Sequence, residues 1–119
     1  MKNQVLIAIR INSNLKRCSD EVFRRLGMSF STGIKLCLSQ MALYQGLPFE
    51  LSLVDVDSSL FCEKKTVSTT IKIDEDIKKK CNELASAAGL NLSLVINLYL
   101  VQVVDKNAIP FVVISNERV

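Results

Sequence analysis

The sequence predicts a mainly α-helical fold in which one strand–helix–helix unit occurs twice. Residues 5–49 align without a gap on residues 67–111, which lie 62 positions later, with 13 identities in 45 positions. Each copy opens with a segment rich in β-branched residues and continues into two segments with apolar residues at helical spacing. Because a unit of about 45 residues is near the lower limit for an independent core, we expect the two copies to share one core.

The strand of each copy has an apolar face and an outward face. We place the strands at residues 5–11 and 67–73. Alternation along a strand puts one set of side chains in the core: Val5, Ile7, Ile9, Ile11, Val67, Thr69, Ile71 and Ile73. The set that points outward is Leu6, Ala8, Arg10, Ser68, Thr70 and Lys72.

Capping residues mark the ends of the four predicted helices. The expected N-caps are Asn12, Ser29, Asp74 and Asn91. The expected C-terminal stops are Gly27, Gly46, Gly89 and Asn107. The second helix of each copy runs to about residue 44 or 106 and is apolar nearly all round, so we expect it to be buried on several sides.

The repeat gives the domain organisation. We predict a single domain over residues 1–119, with the first unit at 4–51, a linker at 52–66 and the second unit at 67–113. The linker contains apolar residues such as Val54 and Leu60, which indicates that it docks on the body or forms a short edge strand.

The net charge of +3 is held unevenly along the chain. Residues 1–51 carry +4, residues 52–66 carry −1 and residues 67–119 carry zero. A basic first half favours a polyanionic partner, and a solvated helix face is the alternative. The run Lys78, Lys79 and Lys80 is more typical of a solvated face than of a phosphate clamp. Tyr44 and Tyr99 are more typical of packing residues than of base-stacking platforms.

Several classes of function are disfavoured by composition. The chain has no histidine and no Gly-rich phosphate loop, and its four cysteines, Cys18, Cys37, Cys62 and Cys81, have no metal-binding spacing. We therefore expect no enzyme, no cofactor and no metal, with Cys37 a small core residue. Residues 5–9 are too short for a signal-peptide core and no apolar run would span a bilayer, so we expect a cytoplasmic protein without a membrane partner.

Three motifs occur in the same order in both copies, within VLIAIRINSNLKRCSDEVFRRLGMSFSTGIKLCLSQMALYQGLPFEL and VSTTIKIDEDIKKKCNELASAAGLNLSLVINLYLVQVVDKNAIPF. They are the strand, which ends in IKIDEDIK in the second copy, a Gly–apolar–polar–apolar–Ser step between the helices, and a closing LPF or IPF. This ordered set resembles the ribbon-helix-helix family, and its details are closest to the RelB/DinJ antitoxin branch. Only the linker and the two ends lie outside the resemblance.

The resemblance implies a specific assembly. Family members dimerise, and their two strands pair as an antiparallel ribbon that enters the DNA major groove; here the ribbon would be intramolecular and the chain a pseudo-dimer. The implied base-contacting residues are Leu6, Ala8, Arg10, Ser68, Thr70 and Lys72. The implied phosphate contacts, through backbone N–H groups, are Ser29, Phe30, Ser31, Asn91, Leu92 and Ser93.

We therefore expect a sequence-specific protein that binds double-stranded DNA, a transcriptional repressor whose site is an imperfect palindrome or asymmetric. The resemblance leaves further self-association on DNA open, since family members often pair along it. The alternative is an antitoxin-like interaction module that inhibits a toxin or another protein through residues 51–61 or 111–114. Members of this branch normally continue after the Pro-Phe step into a long toxin-wrapping tail, whereas eight residues follow Phe111 in this sequence. Toxin neutralisation is therefore the less favoured expectation, and DNA binding through the implied ribbon is preferred.

Overall fold

The computed structural model describes residues 3–49 and 66–112. Its elements are β1 (Gln4–Asn12), α1 (Ser13–Arg25), α2 (Phe30–Tyr44), β2 (Thr66–Asp74), α3 (Glu75–Ala87) and α4 (Leu92–Lys106). Every element of the second copy begins and ends 62 positions after its counterpart, which confirms the strand–helix–helix repeat. Both strands extend one residue further at each end than predicted. The expectations for residues 51–61 and for the rest of the linker before Thr66 lie outside the described residues.

The two strands form one antiparallel sheet. Its register runs from the pair Gln4–Asp74 to the pair Asn12–Thr66, with Ala8 opposite Thr70 at the centre. The antiparallel ribbon that the resemblance implied is therefore confirmed. Since β1 and β2 come from different copies, the sheet requires both.

The inner face of the ribbon is apolar and buried, as the period of two predicted. Ile9, Ile11 and Ile71 are at most 2% exposed, whereas Val5 and Val67 near the ribbon ends are half-buried. Complete burial of an isoleucine side chain contributes roughly 1.5–3 kcal/mol. The inner face thus fixes which side of the ribbon remains outward, because a slip of one residue would exchange the two faces.

The helices of the two copies pack across each other. Helix α1 packs more extensively against α4 than against α2, and α3 packs more extensively against α2 than against α4. The resulting core cluster contains buried side chains from all six elements. Among helices in the described part of the chain, none is long and apolar enough alone to cross a membrane; α3 and α4 meet that test only together, across an 86° bend.

All four predicted N-caps are confirmed. Each cap side chain accepts a hydrogen bond from a backbone N–H in the first turn, as where Asn12 Oδ1 accepts from Leu15 N at 3.2 Å. Replacing such a cap by alanine typically costs about 1 kcal/mol. The caps explain why each helix begins where it does.

The C-terminal stops are confirmed at three positions and wrong at one. Gly27 and Gly89 have φ of 84° and 78°, and Asn107 has φ of 54°. In α2 the left-handed residue is Gln45, with φ of 61°, and not Gly46. A hydrogen bond from Gly46 N to Met41 O, which spans six residues, closes the end of α2 around Gln45. The helix therefore ends one residue before the position at which a glycine stop was predicted.

The core is asymmetric around Tyr99. This residue is fully buried in α4, its ring centroid lies 6.1 Å from that of Phe23, and its hydroxyl donates to the Gly33 carbonyl oxygen at 2.9 Å. Tyr99 is therefore a packing residue, as predicted, and the same holds for the fully buried Cys37. The equivalents of Phe23, Gly33 and Tyr99 in the other copy are Ala85, Val95 and Cys37.

Candidate nucleic-acid interface

The six outward residues of the ribbon are all exposed and lie on one face. This confirms the predicted alternation, since side chains along a strand point to opposite faces in turn. The antiparallel register arranges them as three cross-strand pairs: Leu6 with Lys72, Ala8 with Thr70, and Arg10 with Ser68.

Positive charge is placed at both ends of this outer face. Arg10 and Lys72 occupy equivalent positions in the two copies, and none of the six side chains is acidic. A third cation approaches from α3, where Lys78 Nζ lies 3.5 Å from the Leu6 carbonyl oxygen. The ribbon face therefore carries positive charge and no acidic side chain, the electrostatic pattern that suits a polyanion.

A groove runs along each edge of the ribbon, and the two grooves are lined by equivalent residues. In each groove the helical residues come from one copy and the strand comes from the other. The equivalent helical pairs are Lys16 and Lys78, Asp20 and Asn82, Phe30 and Leu92, and Ser31 and Ser93. Each groove therefore requires both copies, as the ribbon does.

Each groove ends at the N-terminus of a second helix. Ser29 Oγ accepts from Thr32 N at 3.1 Å, and Asn91 Oδ1 accepts from Leu94 N at 2.8 Å. The first N–H groups of a helix have no intrahelical acceptor, and the helix dipole makes this end favourable for anions. Both grooves consequently end at a site with the chemistry of a phosphate cradle.

Apolar side chains hold these two helix ends in place. Phe30 and Leu92, the first residues of α2 and α4, are each 8% exposed, and the Phe30 ring packs edge-on to Phe23 with centroids 6.0 Å apart. Only the backbone at these two positions is therefore suited to a ligand. The hydroxyl residues Ser31 and Ser93 are more accessible than Phe30 and Leu92.

Lys16 and Lys78 line equivalent positions of the two grooves, whereas the sequence analysis assigned Lys78, with Lys79 and Lys80, to a solvated face and gave Lys16 no role. Lys16 Nζ lies 5.6 Å from the centroid of the Phe30 ring, above the start of α2. Lys78 lines the opposite groove and reaches the edge of β1. A usable signal was present, because lysine is retained at both positions of the repeat while most neighbouring residues differ.

The two grooves differ in polarity where the opposite strand forms the wall. Thr69 of β2 lines one groove, and the equivalent residue of β1 in the other is Ile7. The Thr69 hydroxyl is buried and has no hydrogen-bond partner within the described residues. The copies have therefore diverged at the interface as well as in the core.

The buried titratable groups lie away from this interface and are held neutral. Burial raises the pKa of the Cys81 thiol to about 12. Burial, and to a smaller extent the charge of the nearby Cys81, raises the pKa of Cys37 well above its ordinary value. Burial likewise raises the pKa of the Tyr99 hydroxyl. A neutral thiol is a poor nucleophile and metal ligand. Across residues 3–49 and 66–112, no three His, Cys, Asp or Glu side chains are grouped so as to hold a metal ion.

The comparison with protein families agrees with the repeat. The sequence model of the RelB antitoxin family matches this chain twice, at residues 4–63 and 64–116. The chain belongs to the RelB antitoxin family. The two matches together cover almost the whole sequence, so both copies are RelB-like units, as the resemblance of the motifs indicated. RelB antitoxins are a non-enzymatic regulatory family. No curated protein and no solved structure matches the chain.

Proposed function

We propose that the two RelB-like copies form an intramolecular pseudo-dimer that binds double-stranded DNA through its ribbon and represses transcription. The observation that supports this most strongly is the outer face of the ribbon, which is exposed, free of acidic side chains and bordered by two grooves that end at helix N-termini. A two-stranded ribbon has dimensions that fit the major groove.

In this proposal the outer face contacts base edges. Arg10 and Lys72 donate hydrogen bonds to guanine, and the hydroxyls of Ser68 and Thr70 hydrogen-bond to several bases. Leu6 or Ala8 makes apolar contact with a thymine methyl group. Each good base contact provides roughly 1–3 kcal/mol of discrimination against the wrong base. Since the outward residues differ between the copies, the preferred site is an imperfect palindrome or an asymmetric site.

The helix N-termini and the groove lysines bind the flanking phosphates. Backbone N–H groups at residues 29–31 and 91–93 would donate hydrogen bonds to one phosphate on each side of the ribbon. Lys16 and Lys78 would add a charge contact at each of these positions. Loss of both lysines should therefore reduce the slope of log K against log salt by about 1.8, or 0.9 for each phosphate charge neutralised.

Fusion of the two copies changes how the ribbon assembles. A short tether gives the second copy an effective concentration in the millimolar range or above, so formation of the ribbon does not depend on protein concentration. Two chains would still be able to bind adjacent sites, so the further self-association on DNA that the resemblance leaves open is compatible with this assembly.

The direct test is the double variant Arg10→Ala with Lys72→Ala. Duplexes are first selected from a random pool with the wild-type chain, and binding is then measured at fixed salt. Both residues are exposed, so the fold should persist while affinity for the selected duplex falls by at least about 30-fold, from two lost base contacts of roughly 1–3 kcal/mol each.

The matched control removes the same charge far from the ribbon. Arg25 and Lys106 lie at the C-terminal ends of α1 and α4. The Arg25 guanidinium donates to Oδ1 of Asn107, the residue that follows Lys106, at 2.8 Å. Arg25→Ala with Lys106→Ala should leave affinity within about threefold, since exposed interactions contribute little. Equal losses in the two double variants would show that net charge alone, and not the ribbon, supports binding.

A second candidate function follows from the family: inhibition of a protein toxin. In the alternative we expected residues 51–61 or 111–114 to bind the partner, and of these only Phe111 and Val112 lie among the described residues. Phe111 stacks on Tyr99 with ring centroids 5.8 Å apart, while Val112 is 76% exposed. Co-expression with the adjacent reading frame tests this function. A stable complex that forms without nucleic acid and is weakened by Val112→Asp would favour it.

A further inference from the structure

The two ends of the outer ribbon face are not equivalent. A two-fold rotation about the central pair, Ala8 and Thr70, would superimpose the two strands. It would place Arg10 on Lys72 and Leu6 on Ser68. Each end therefore carries one cation, but the cross-strand neighbour of that cation differs. At one end Lys72 pairs with the isobutyl group of Leu6, and at the other end Arg10 pairs with the hydroxyl of Ser68.

Leu6 is the most exposed leucine in the described part of the chain, with 60% of its surface accessible. A single exposed leucine is ordinary on a protein surface. This one differs because it lies on a face with two cations and no acid, and because apolar neighbours continue from it into the adjacent groove. Those groove residues are Ile7, Ala8, Ile9 and Leu92. The equivalent wall of the other groove is formed by Thr69.

The major groove offers one matching apolar group. Thymine presents its C5-methyl group there, whereas the other bases present only hydrogen-bond donors and acceptors. A serine hydroxyl gains nothing specific from a methyl group, while a leucine side chain buries it. The chemistry of the two ends therefore matches two different base pairs.

We infer that the Leu6–Lys72 end of the ribbon selects a half-site that contains a thymine C5-methyl group, and that the Arg10–Ser68 end selects its half-site by hydrogen bonding alone. This inference rests on the proposed DNA binding. It assigns Leu6 as a specificity-determining residue, in contact with base and not only with solvent.

The strand geometry also sets an upper bound on the spacing of the two discriminated positions. Leu6 and Arg10 are four residues apart on β1, a distance of about 13 Å at 3.3 Å per residue. The DNA rises about 3.4 Å per base pair along its axis, and a strand that follows the inclined groove spans less than its own length along that axis. The thymine should therefore lie at most about four base pairs from the position that Arg10 contacts.

Single replacement of thymine by deoxyuridine tests the inference, because it removes one methyl group and keeps every hydrogen-bonding group. In the duplex selected with the wild-type chain, we expect one thymine position whose replacement weakens binding about fourfold, the effect of one buried methyl group. The position related to it by the approximate two-fold axis of the site should be insensitive.

Two reciprocal variants identify the residue responsible. Leu6→Ser copies the second unit into the first and should abolish the sensitivity to uracil. Ser68→Leu copies the first unit into the second and should create a second sensitive position when thymine is placed there. Both residues are exposed, and thermal unfolding of each variant checks that the fold is retained.

The outcomes separate this inference from the proposed function. If the wild-type chain selects and binds no duplex, the proposed DNA binding fails and the inference fails with it. If the chain binds but tolerates uracil at every position, or if Leu6→Ser keeps the sensitivity, the inference is overturned while DNA binding stands. Gain of the second position with Ser68→Leu would support it most strongly.

Discussion

The two copies of the repeat share one backbone but not one set of core side chains. Every helix and strand recurs at an offset of 62 residues, and Gly27 and Gly89 adopt the same left-handed conformation. In the core, by contrast, the first copy has Phe23 and Gly33 where the second has Ala85 and Val95. Each copy therefore retains its own residues for starting and ending helices and strands. The buried core, by contrast, is filled only by side chains from both copies together.

Fusion explains why this divergence is tolerated. In a symmetric dimer each substitution appears twice and must be accommodated on both sides of the axis. In a single chain the two sides change independently, so Tyr99 fills a space beside Phe23 and Gly33 while its counterpart Cys37 occupies a smaller one. Four predictions test this description of the shared core and of the helix ends.

The largest difference is expected between equivalent positions 99 and 37. Tyr99→Ala removes a fully buried ring and its hydrogen bond to Gly33, which should lower the free energy of unfolding by about 3–5 kcal/mol. Cys37→Ala removes one buried atom and should cost about 1 kcal/mol. Urea denaturation measures both. Losses of equal size would mean that the core is effectively symmetric.

The next difference concerns glycine in α2. A Cβ atom at Gly33 would lie 2.6 Å from the buried ring of Phe23, whereas a Cβ at Gly46 would meet nothing within 4 Å. Gly33→Ala should therefore destabilise the fold by about 1–3 kcal/mol despite the helix preference of alanine. Gly46→Ala is the control and should change stability by less than about 0.5 kcal/mol. Phe23→Leu should partly rescue Gly33→Ala, and absence of any rescue would place the clash elsewhere.

Stability should fall above pH 9 because of the buried thiols. The pKa values of Cys37 and Cys81 are raised in the fold from an ordinary value of 9.0, so above pH 9 the unfolded chain loses these protons while the folded chain keeps them. The stability they contribute is complete below pH 9 and decreases as pH rises, by about 1 kcal/mol for each thiol between pH 9 and 10. The ordinary pKa of tyrosine is 10.0, so Tyr99 contributes mainly above this window.

The double variant Cys37→Ala with Cys81→Ala isolates this effect. Denaturation at pH 8, 9 and 10 should show a shallower decline for the variant than for the wild-type chain. Parallel declines would mean that both thiols ionise at the same pH in the folded and unfolded states.

The smallest difference is expected at the C-terminal ends of the second helices. Gln45 and Asn107 both have positive φ, at 61° and 54°. Asparagine tolerates this conformation better than glutamine does, and glycine tolerates it best. Gln45→Gly should therefore raise the free energy of unfolding, measured by thermal denaturation, by about 0.5–1 kcal/mol. Asn107→Gly should raise it by less. The opposite order would show that the Gln45 side-chain bond to Ala42 O, at 2.8 Å, outweighs the backbone strain.

The predictable part of this structure is the part encoded locally. The caps Asn12 and Asp74, the stops at Gly27 and Gly89 and the two faces of each strand depend on neighbouring residues, and all were predicted correctly. The exception is Gln45, because glycine at the next position is the usual stop and the sequence gives no local reason for glutamine to adopt positive φ.

The remaining features depend on contacts between the copies. The ring packing of Phe23 with Tyr99 joins residues 76 positions apart, and no periodicity within either copy indicates it. Lys16 and Lys78 are a matched pair of lysines in the repeat, but only the folded chain shows that each lies in the groove beside the start of a second helix. The pairing of β1 with β2 was predicted from the resemblance to ribbon-helix-helix proteins, since neither strand alone specifies its partner.

The central claim, that one chain supplies both strands of a DNA-binding ribbon, is tested most directly by the mass of the smallest complex. Native mass spectrometry with the shortest duplex from the binding selection should show one chain of 13.3 kDa per duplex, with no dependence of the free chain's unfolding midpoint on concentration. A smallest complex that always contains two chains, or a chain that binds no selected duplex, would contradict the claim.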